Sequence, residues 1–179
     1  MEEAAVIASI KAGNVDAFTE IVENYQIPIV RYLCRLVGDE DIARDLAQDT
    51  FIQAFKGILK TSPDLKLRPW LFKIATNNAR QYYRRKRIIN FIPFGDHRTP
   101  DFPSQYRTKD IEENIEVRSA LRKVPLNIRT CLVLHFVEGF KYKEMADALG
   151  ISEDAVRMRV TRGRELFRQA YTGGGQNEM

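Results

Sequence analysis

Residues 141–168, KYKEMADALGISEDAVRMRVTRGRELFR, constrain the fold most, because they read as two short helices joined by a tight turn. The turn is written in Leu149-Gly150-Ile151-Ser152. Glycine takes the left-handed conformation that ends a helix, and Ser152 can cap the next one, with Glu153 and Asp154 complementing its dipole. Apolar residues mark a buried stripe on each helix: Met145, Ala146 and Leu149 on the first, Val156, Val160 and Phe167 on the second. The second helix also carries five arginines. On a helical wheel Arg157, Thr161, Arg164 and Arg168 form a stripe beside the buried one, and Arg159 and Arg162 widen it. A charge run is more often a plain solvated face. Here turn, cap and charge agree on a helix-turn-helix that buries one side and offers another to phosphates.

The net charge of +4 hides an asymmetry. Residues 1–62 hold 6 Lys and Arg against 10 Asp and Glu, residues 63–110 hold 11 against 4, and residues 111–179 hold 11 against 10. An acidic first third suits a protein partner, whereas a basic middle suits nucleic acid. No run of about 18 apolar residues exists for a membrane span, and the start MEEAAVIASIKAG lacks the pattern of a secretory signal. A cytoplasmic protein without membrane insertion is expected. Cys34 and Cys131 sit among apolar neighbours at a spacing that makes neither a zinc site nor a disulfide framework, so both read as small buried hydrophobes. His97 and His135 are isolated, and no metal or cofactor is expected.

Helical periodicity predicts an all-α chain with helices at about 3–12, 14–37, 40–60, 67–87, 110–123, 126–138, 141–149 and 153–171. Pro28 is placed to kink the second of these or break it in two. Residues 88–109 carry three prolines and no sustained period, which reads as an interdomain linker. Its aromatics Phe91, Phe94, Phe102 and Tyr106 suit either a partner's groove or packing on its own domains. The expected organisation is therefore a helical domain at 1–87, a flexible linker at 88–110, a helix-turn-helix domain at 111–171 and a disordered tail at 172–179.

A second basic site lies at residues 80–87, RQYYRRKR, where Arg80, Arg84, Arg85, Lys86 and Arg87 interleave with Tyr82 and Tyr83. Cations attract phosphates and tyrosines offer faces for stacked bases, the pairing that single strands favour. Cations also suit a helix C-terminus for electrostatic reasons. Just upstream, Asn77 and Asn78 interrupt good helix formers; an amide can read a base edge or tie down a neighbouring element. Farther back, Asp41, Asp45 and Asp49 fall on one helical face, with Arg44 beside them. No histidine, nucleophile or phosphate loop accompanies these carboxylates, so they read as a docking face for a basic protein and not as a catalytic site.

The segments DAFTEIVENY, DIARDLAQDTFIQAF, PWLFKIATNNARQYYRRKR and DAVRMRVTRGRELF, in that order, resemble the extracytoplasmic-function (ECF) sigma factors of bacterial RNA polymerase, within the sigma-70 superfamily. The resemblance implies a non-enzymatic initiation factor with a region 2-like domain and a region 4-like domain. It implies that Asp45, Leu46, Gln48 and Asp49, matching the family's Asp-Leu-x-Gln-Glu segment, dock the clamp helices of the polymerase's largest subunit. It also implies that residues 69–87 open and hold the −10 element, with Trp70 anchoring the helix, Asn77, Arg80, Gln81 and Arg84 facing DNA, and Asp64 in a loop that accepts a flipped base. In region 4, Arg157, Met158, Thr161 and Arg162 take the places that contact the −35 element, with Arg159 and Arg164 nearer phosphates.

This chain has Asp154-Ala155 where many members have Gly-Thr, and Met158 where many have a small hydroxyl residue, so its −35 preference is expected to differ. Core RNA polymerase, including the flap of its second-largest subunit, promoter DNA and a cognate anti-sigma factor are the partners the resemblance implies. The rival reading is a conventional helix-turn-helix regulator that binds a duplex operator alone, usually as a dimer. The basic-aromatic helix outside the helix-turn-helix favours the sigma factor. A helical nuclease would need a metal or nucleophile constellation that the sequence lacks.

Overall fold

The computed structural model describes residues 2–62, 64–90 and 115–173, with side chains of the helix ending at Asn90 described through Arg87. Among these residues every regular element is helical, as the periodicity predicts. The linker aromatics, His97 and the tail residues 174–179 lie outside the described residues.

The first domain is built from α1 (Glu3–Lys11), a 3-10 turn (Val15–Ala17), α2 (Phe18–Val37), α3 (Glu40–Ile58) and α4 (Leu67–Asn90). Helix α2 buries Phe18, Ile21, Tyr25, Ile29, Tyr32, Leu33 and Leu36 along one face. It runs through Pro28 as one helix, not the two that a break there would make. Proline in a helix interior costs about 3 kcal/mol, and the continuous apolar face on both sides of Pro28 outweighs that local loss. Gly38 ends α2 in the left-handed conformation at φ 76°, and the Asp39 carboxylate accepts from the Ile42 N–H at 3.0 Å to start α3.

Helix α4 presents Leu67, Leu71, Phe72, Ala75 and Ala79 to this core and continues to Asn90, three residues past the predicted end. Trp70 lies over Gly57, whose absent Cβ would stand 3.3 Å from the indole, so the indole anchors α4 on α3. The Thr76 hydroxyl donates to the Phe72 carbonyl at 2.7 Å, which leaves the Tyr32 hydroxyl to donate to Thr76 Oγ1 at 2.6 Å. Burial pushes the Tyr32 phenol well above its ordinary pKa, so it stays a donor.

The second domain comprises α5 (Ile115–Lys123), α6 (Leu126–Leu132), a π-helical turn (Val133–Val137), α7 (Tyr142–Leu149) and α8 (Glu153–Thr172). The sequence reading places one helix over 126–138; its second half is instead widened, with the Glu138 N–H reaching the Val133 carbonyl at 3.0 Å. Phe136 and Val137 leave the core there and are 57% and 49% exposed. Gly163 is buried in the middle of α8, where a Cβ would fall 2.7 Å from Leu132 Cγ and 2.9 Å from Ile128 Cγ2. The buried stripe of α8 therefore runs Val156, Val160, Gly163, and its glycine lets α8 close on α6.

The two domains pack on each other, α7 against α4 and α5 and α6 against α2. Arg129, 5% exposed, donates from Nη1 to the Leu36 carbonyl in the first domain and from Nε to the Val124 carbonyl at 3.1 Å in its own. Arg118 reaches the Gly38 carbonyl at 3.4 Å. Both cations thus meet the negative end of the α2 dipole.

Candidate nucleic-acid interface

The helix-turn-helix forms as its punctuation predicts. Gly150 is left-handed at φ 66°, and Ser152 Oγ accepts from the Ala155 N–H at 3.1 Å. With Val156, Val160 and Gly163 turned inward, Arg157, Met158, Thr161, Arg162 and Arg164 are exposed on α8. Arg157 lies over the Tyr142 ring at 5.8 Å, which steadies it against α7 without burying it. Arg159 is half-buried; burial raises the Cys131 thiol pKa, and the charge of Arg159 nearby partly offsets that rise. The exposed arginines and threonine can pair with base edges and phosphates, and Met158, 66% exposed, puts an apolar side chain on the same surface.

On α4 the two adjacent asparagines separate. Asn78 is buried, accepting from Gln53 Nε2 at 2.9 Å and donating to Thr50 Oγ1 at 3.1 Å, which ties α4 to α3. Asn77 is exposed, and with Gln81 and Arg84 it forms a polar stripe at i, i+4 and i+7. Arg80 is half-buried, and its charge is felt at both Tyr32 and Cys131. Tyr83 donates to the Leu36 carbonyl at 3.1 Å, and Tyr82 meets it edge-on beneath Lys86, so these rings are partly engaged in the fold. Asp64 is exposed in the loop before α4.

On α3, Asp45, Gln48 and Asp49 are exposed and Leu46 is half-buried. Arg44 pairs with Glu40, one turn back, which leaves the Asp45 and Asp49 carboxylates to face outward. Beside them a groove of about 500 Å³ between α2 and α3 is lined by Phe18, Val22, Val30, Gln48, Ile52 and Phe55. A second groove of about 610 Å³ lies between α5, the π turn and α8, lined by Val117, Leu121, Phe136, Val137, Arg164 and Phe167. Among the described residues no helix is long and apolar enough to cross a membrane.

Sequence reasoning passed over Gly163, Arg129, Glu138 and Phe140. For Phe140 a signal existed: it precedes the α7 N-cap Lys141, with Glu144 accepting from the Lys141 N–H at 2.8 Å and Met145 one residue on, the pattern of a capping box with a hydrophobic staple. Arg129 and Glu138 carry no local signal for their contacts with Leu36, Arg35 and Arg68, because those partners lie in the other domain.

Two family profiles match, sigma-70 region 2 over residues 21–88 and sigma-70 region 4 over residues 114–167. The chain is 30% identical over 169 residues to RNA polymerase sigma factor CnrH of Cupriavidus metallidurans, covering 88% of this chain and 87% of that protein. It is 29% identical over 182 residues to RNA polymerase sigma-H factor of Pseudomonas aeruginosa, covering 94% and 93%. Against ECF RNA polymerase sigma factor SigW of Bacillus subtilis it is 28% identical over 174 residues, covering 91% and 93%. In fold it is similar to CnrH solved in complex with the cytosolic domain of CnrY, with a TM-score of 0.71, 24% identity and coverage of 95% and 97%. It is likewise similar to the sigma factor RpoE of Bartonella quintana solved with the anti-sigma factor NepR, with a TM-score of 0.67, 22% identity and coverage of 87% and 96%. With exposed arginines on α8 in the region 4 match and a polar-basic helix in the region 2 match, the chain belongs to the ECF sigma factors, which direct RNA polymerase to promoters.

Proposed function

We propose that this sigma factor engages core polymerase through Asp45, Leu46, Gln48 and Asp49 on α3, the −35 element through α8, and the −10 element through α4 and the Asp64 loop. The observation that carries the reading is that polar and charged side chains stand exposed on α3, α4 and α8 while each helix buries its other face. In this reading Arg157, Met158, Thr161 and Arg162 meet base edges, Arg164 and Arg159 meet phosphates, and Asn77, Arg80, Gln81 and Arg84 hold the melted strand. The protein acts in the cytoplasm by binding, as a polymerase subunit, with domains at 1–87 and 111–171 joined through 88–110. The apolar groove bearing Phe136 and Val137 suits the polymerase flap or an anti-sigma factor.

Run-off transcription with purified core polymerase on a promoter library tests the proposal. Promoter-dependent product is expected, and none under conditions that support another sigma factor would sink it. The adjacent asparagines give a sharper test. Asn77→Ala is expected to weaken −10 strand binding at an unchanged melting temperature. Asn78→Ala is expected to destabilise the first domain by about 1–3 kcal/mol, because Thr50 and Gln53 lose a buried partner. Equal melting temperatures for the two variants would refute that division. For region 4, Arg157→Ala is expected to lose about 1–3 kcal/mol at one base pair of the −35 element and to relax preference there. A uniform loss across all sequences in a binding-site selection would make Arg157 a phosphate contact.

A further inference from the structure

Helix α8 packs on α5, α6 and α7 through Val156, Val160 and Gly163, with Phe167 half-buried on the same side. At 100° per residue the direction opposite that stripe falls on Met158, so its side chain stands at the crest of the exposed face. Met158 is 66% exposed, and neither the α2–α3 groove nor the groove between α5, the π turn and α8 includes it. It is not the edge of a hydrophobic patch but a single large apolar side chain set in a polar surface.

The neighbours of Met158 decide what that crest can meet. Asp154, one turn before it, and Glu165, two turns after it, are exposed along the same line. Cations stand on both flanks, Arg157, Arg164 and Arg168 on one side and Arg162 on the other. Arg157 is further held over the Tyr142 ring at 5.8 Å. Phosphates are drawn to guanidiniums and repelled by carboxylates, so a duplex seated on α8 turns its backbones to the arginine flanks and its groove floor to the crest. A thioether sulfur is only a weak acceptor, and the side chain around it gains by leaving water when a groove closes over it. The apolar group that base pairs present in the major groove is the C5-methyl of thymine. An unbranched methionine, with three rotatable bonds, can adjust to reach it.

We infer that Met158 is a specificity-determining residue that selects thymine at one position of the −35 element, by packing its thioether on the thymine C5-methyl group. The inference rests on the reading of α8 as the −35 helix, and it names the base that the crest of that helix takes. Cytosine or a purine at this position would put a hydrogen-bonding edge against an apolar side chain, and a buried polar group without a partner costs more than the missing methyl contact alone.

The test uses holoenzyme assembled from core polymerase and the full chain, with a promoter library randomised across the −35 element. The parent is expected to enrich thymine at one position, on either strand. Replacing that thymine by uracil removes the methyl group and nothing else, and is expected to weaken promoter binding about fourfold, the factor that burial of one methyl group contributes. Met158→Leu keeps an apolar tip and should keep both the enrichment and the uracil penalty. Met158→Gln has a similar length but ends in an amide, and should lose both. The position is exposed, so neither substitution disturbs the core. A uracil promoter bound as tightly as the thymine promoter, or a Met158→Gln protein that keeps the thymine preference and its uracil penalty, would overturn the inference. If Arg157→Ala still relaxed the preference at its own base pair in that selection, α8 would remain the −35 helix and only the role of Met158 would fall. A parent that transcribes from the library but enriches no −35 sequence would overturn the reading of α8 and this inference with it.

Discussion

Replacing Asp45 and Asp49 with lysine is expected to weaken association with core RNA polymerase by about a hundredfold or more at low salt, with the fold intact. Both carboxylates are exposed one turn apart on α3, and Arg44, the nearest cation in sequence, is paired with Glu40. A basic clamp surface facing this row would meet two cations in place of two anions, and like charges brought together across an interface cost several kcal/mol. Most of the loss should appear in salt-dependent association, because exposed charges act over about 10 Å at 0.1 M salt. Titrating labelled protein against core polymerase at two salt concentrations measures it, and far-ultraviolet circular dichroism checks the fold. Unchanged affinity would move the docking face off α3 and make the neighbouring α2–α3 groove the next candidate.

The second large effect is expected at Gly163→Val, which should destabilise the helix-turn-helix domain by about 1–3 kcal/mol through overpacking. That corresponds to roughly 5–20 °C in melting temperature for a domain of this size, and −35 binding falls with it. A Cβ at this position stands 2.7 Å from Leu132 Cγ and 2.8 Å from its Cδ2, so α8 must lift off α6 or Leu132 must leave its place. Alanine at 163 gains about 1 kcal/mol of helix propensity over glycine yet brings the same colliding atom. Thermal melts of both variants measure the balance. A Gly163→Val protein that melts at or above the parent temperature would show that the α6–α8 contact is looser than these distances imply.

What could be read in advance follows the range of the interactions. Gly38 with Asp39 and Gly150 with Ser152 act within a turn of where they stand, and α2, α3, α7 and α8 end within two residues of the predicted positions. The exposed faces of α3 and α8 were legible for the same reason, since helical periodicity alone turns Asp45, Asp49, Arg157 and Arg164 away from the apolar stripes. Residue chemistry alone did not separate Asn77 from Asn78, and only the family resemblance favoured Asn77 for DNA. The same amide reads as a base contact or a buried tie, and only the position of Thr50 and Gln53 across the α3–α4 contact assigns Asn78 to the tie. At Pro28 the sequence left a kink or a break open, and the structure removes the break, because the local penalty is legible and the packing that carries α2 through it is not.

The sequence by itself determined the helices, their caps, the charged faces and the kinship with sigma factors, since each depends on residues within a few positions or on motifs in order. Only the tertiary structure decided that Glu138 and Phe140 seat on Arg35, Arg68 and Phe72, that Arg129 bonds the end of α2, and that Gly163 is a point of contact. These contacts join residues far apart in the chain whose individual chemistry is ordinary. A lone glutamate, arginine or glycine specifies nothing until packing supplies its partner, and burial then turns a solvated side chain into a specific contact.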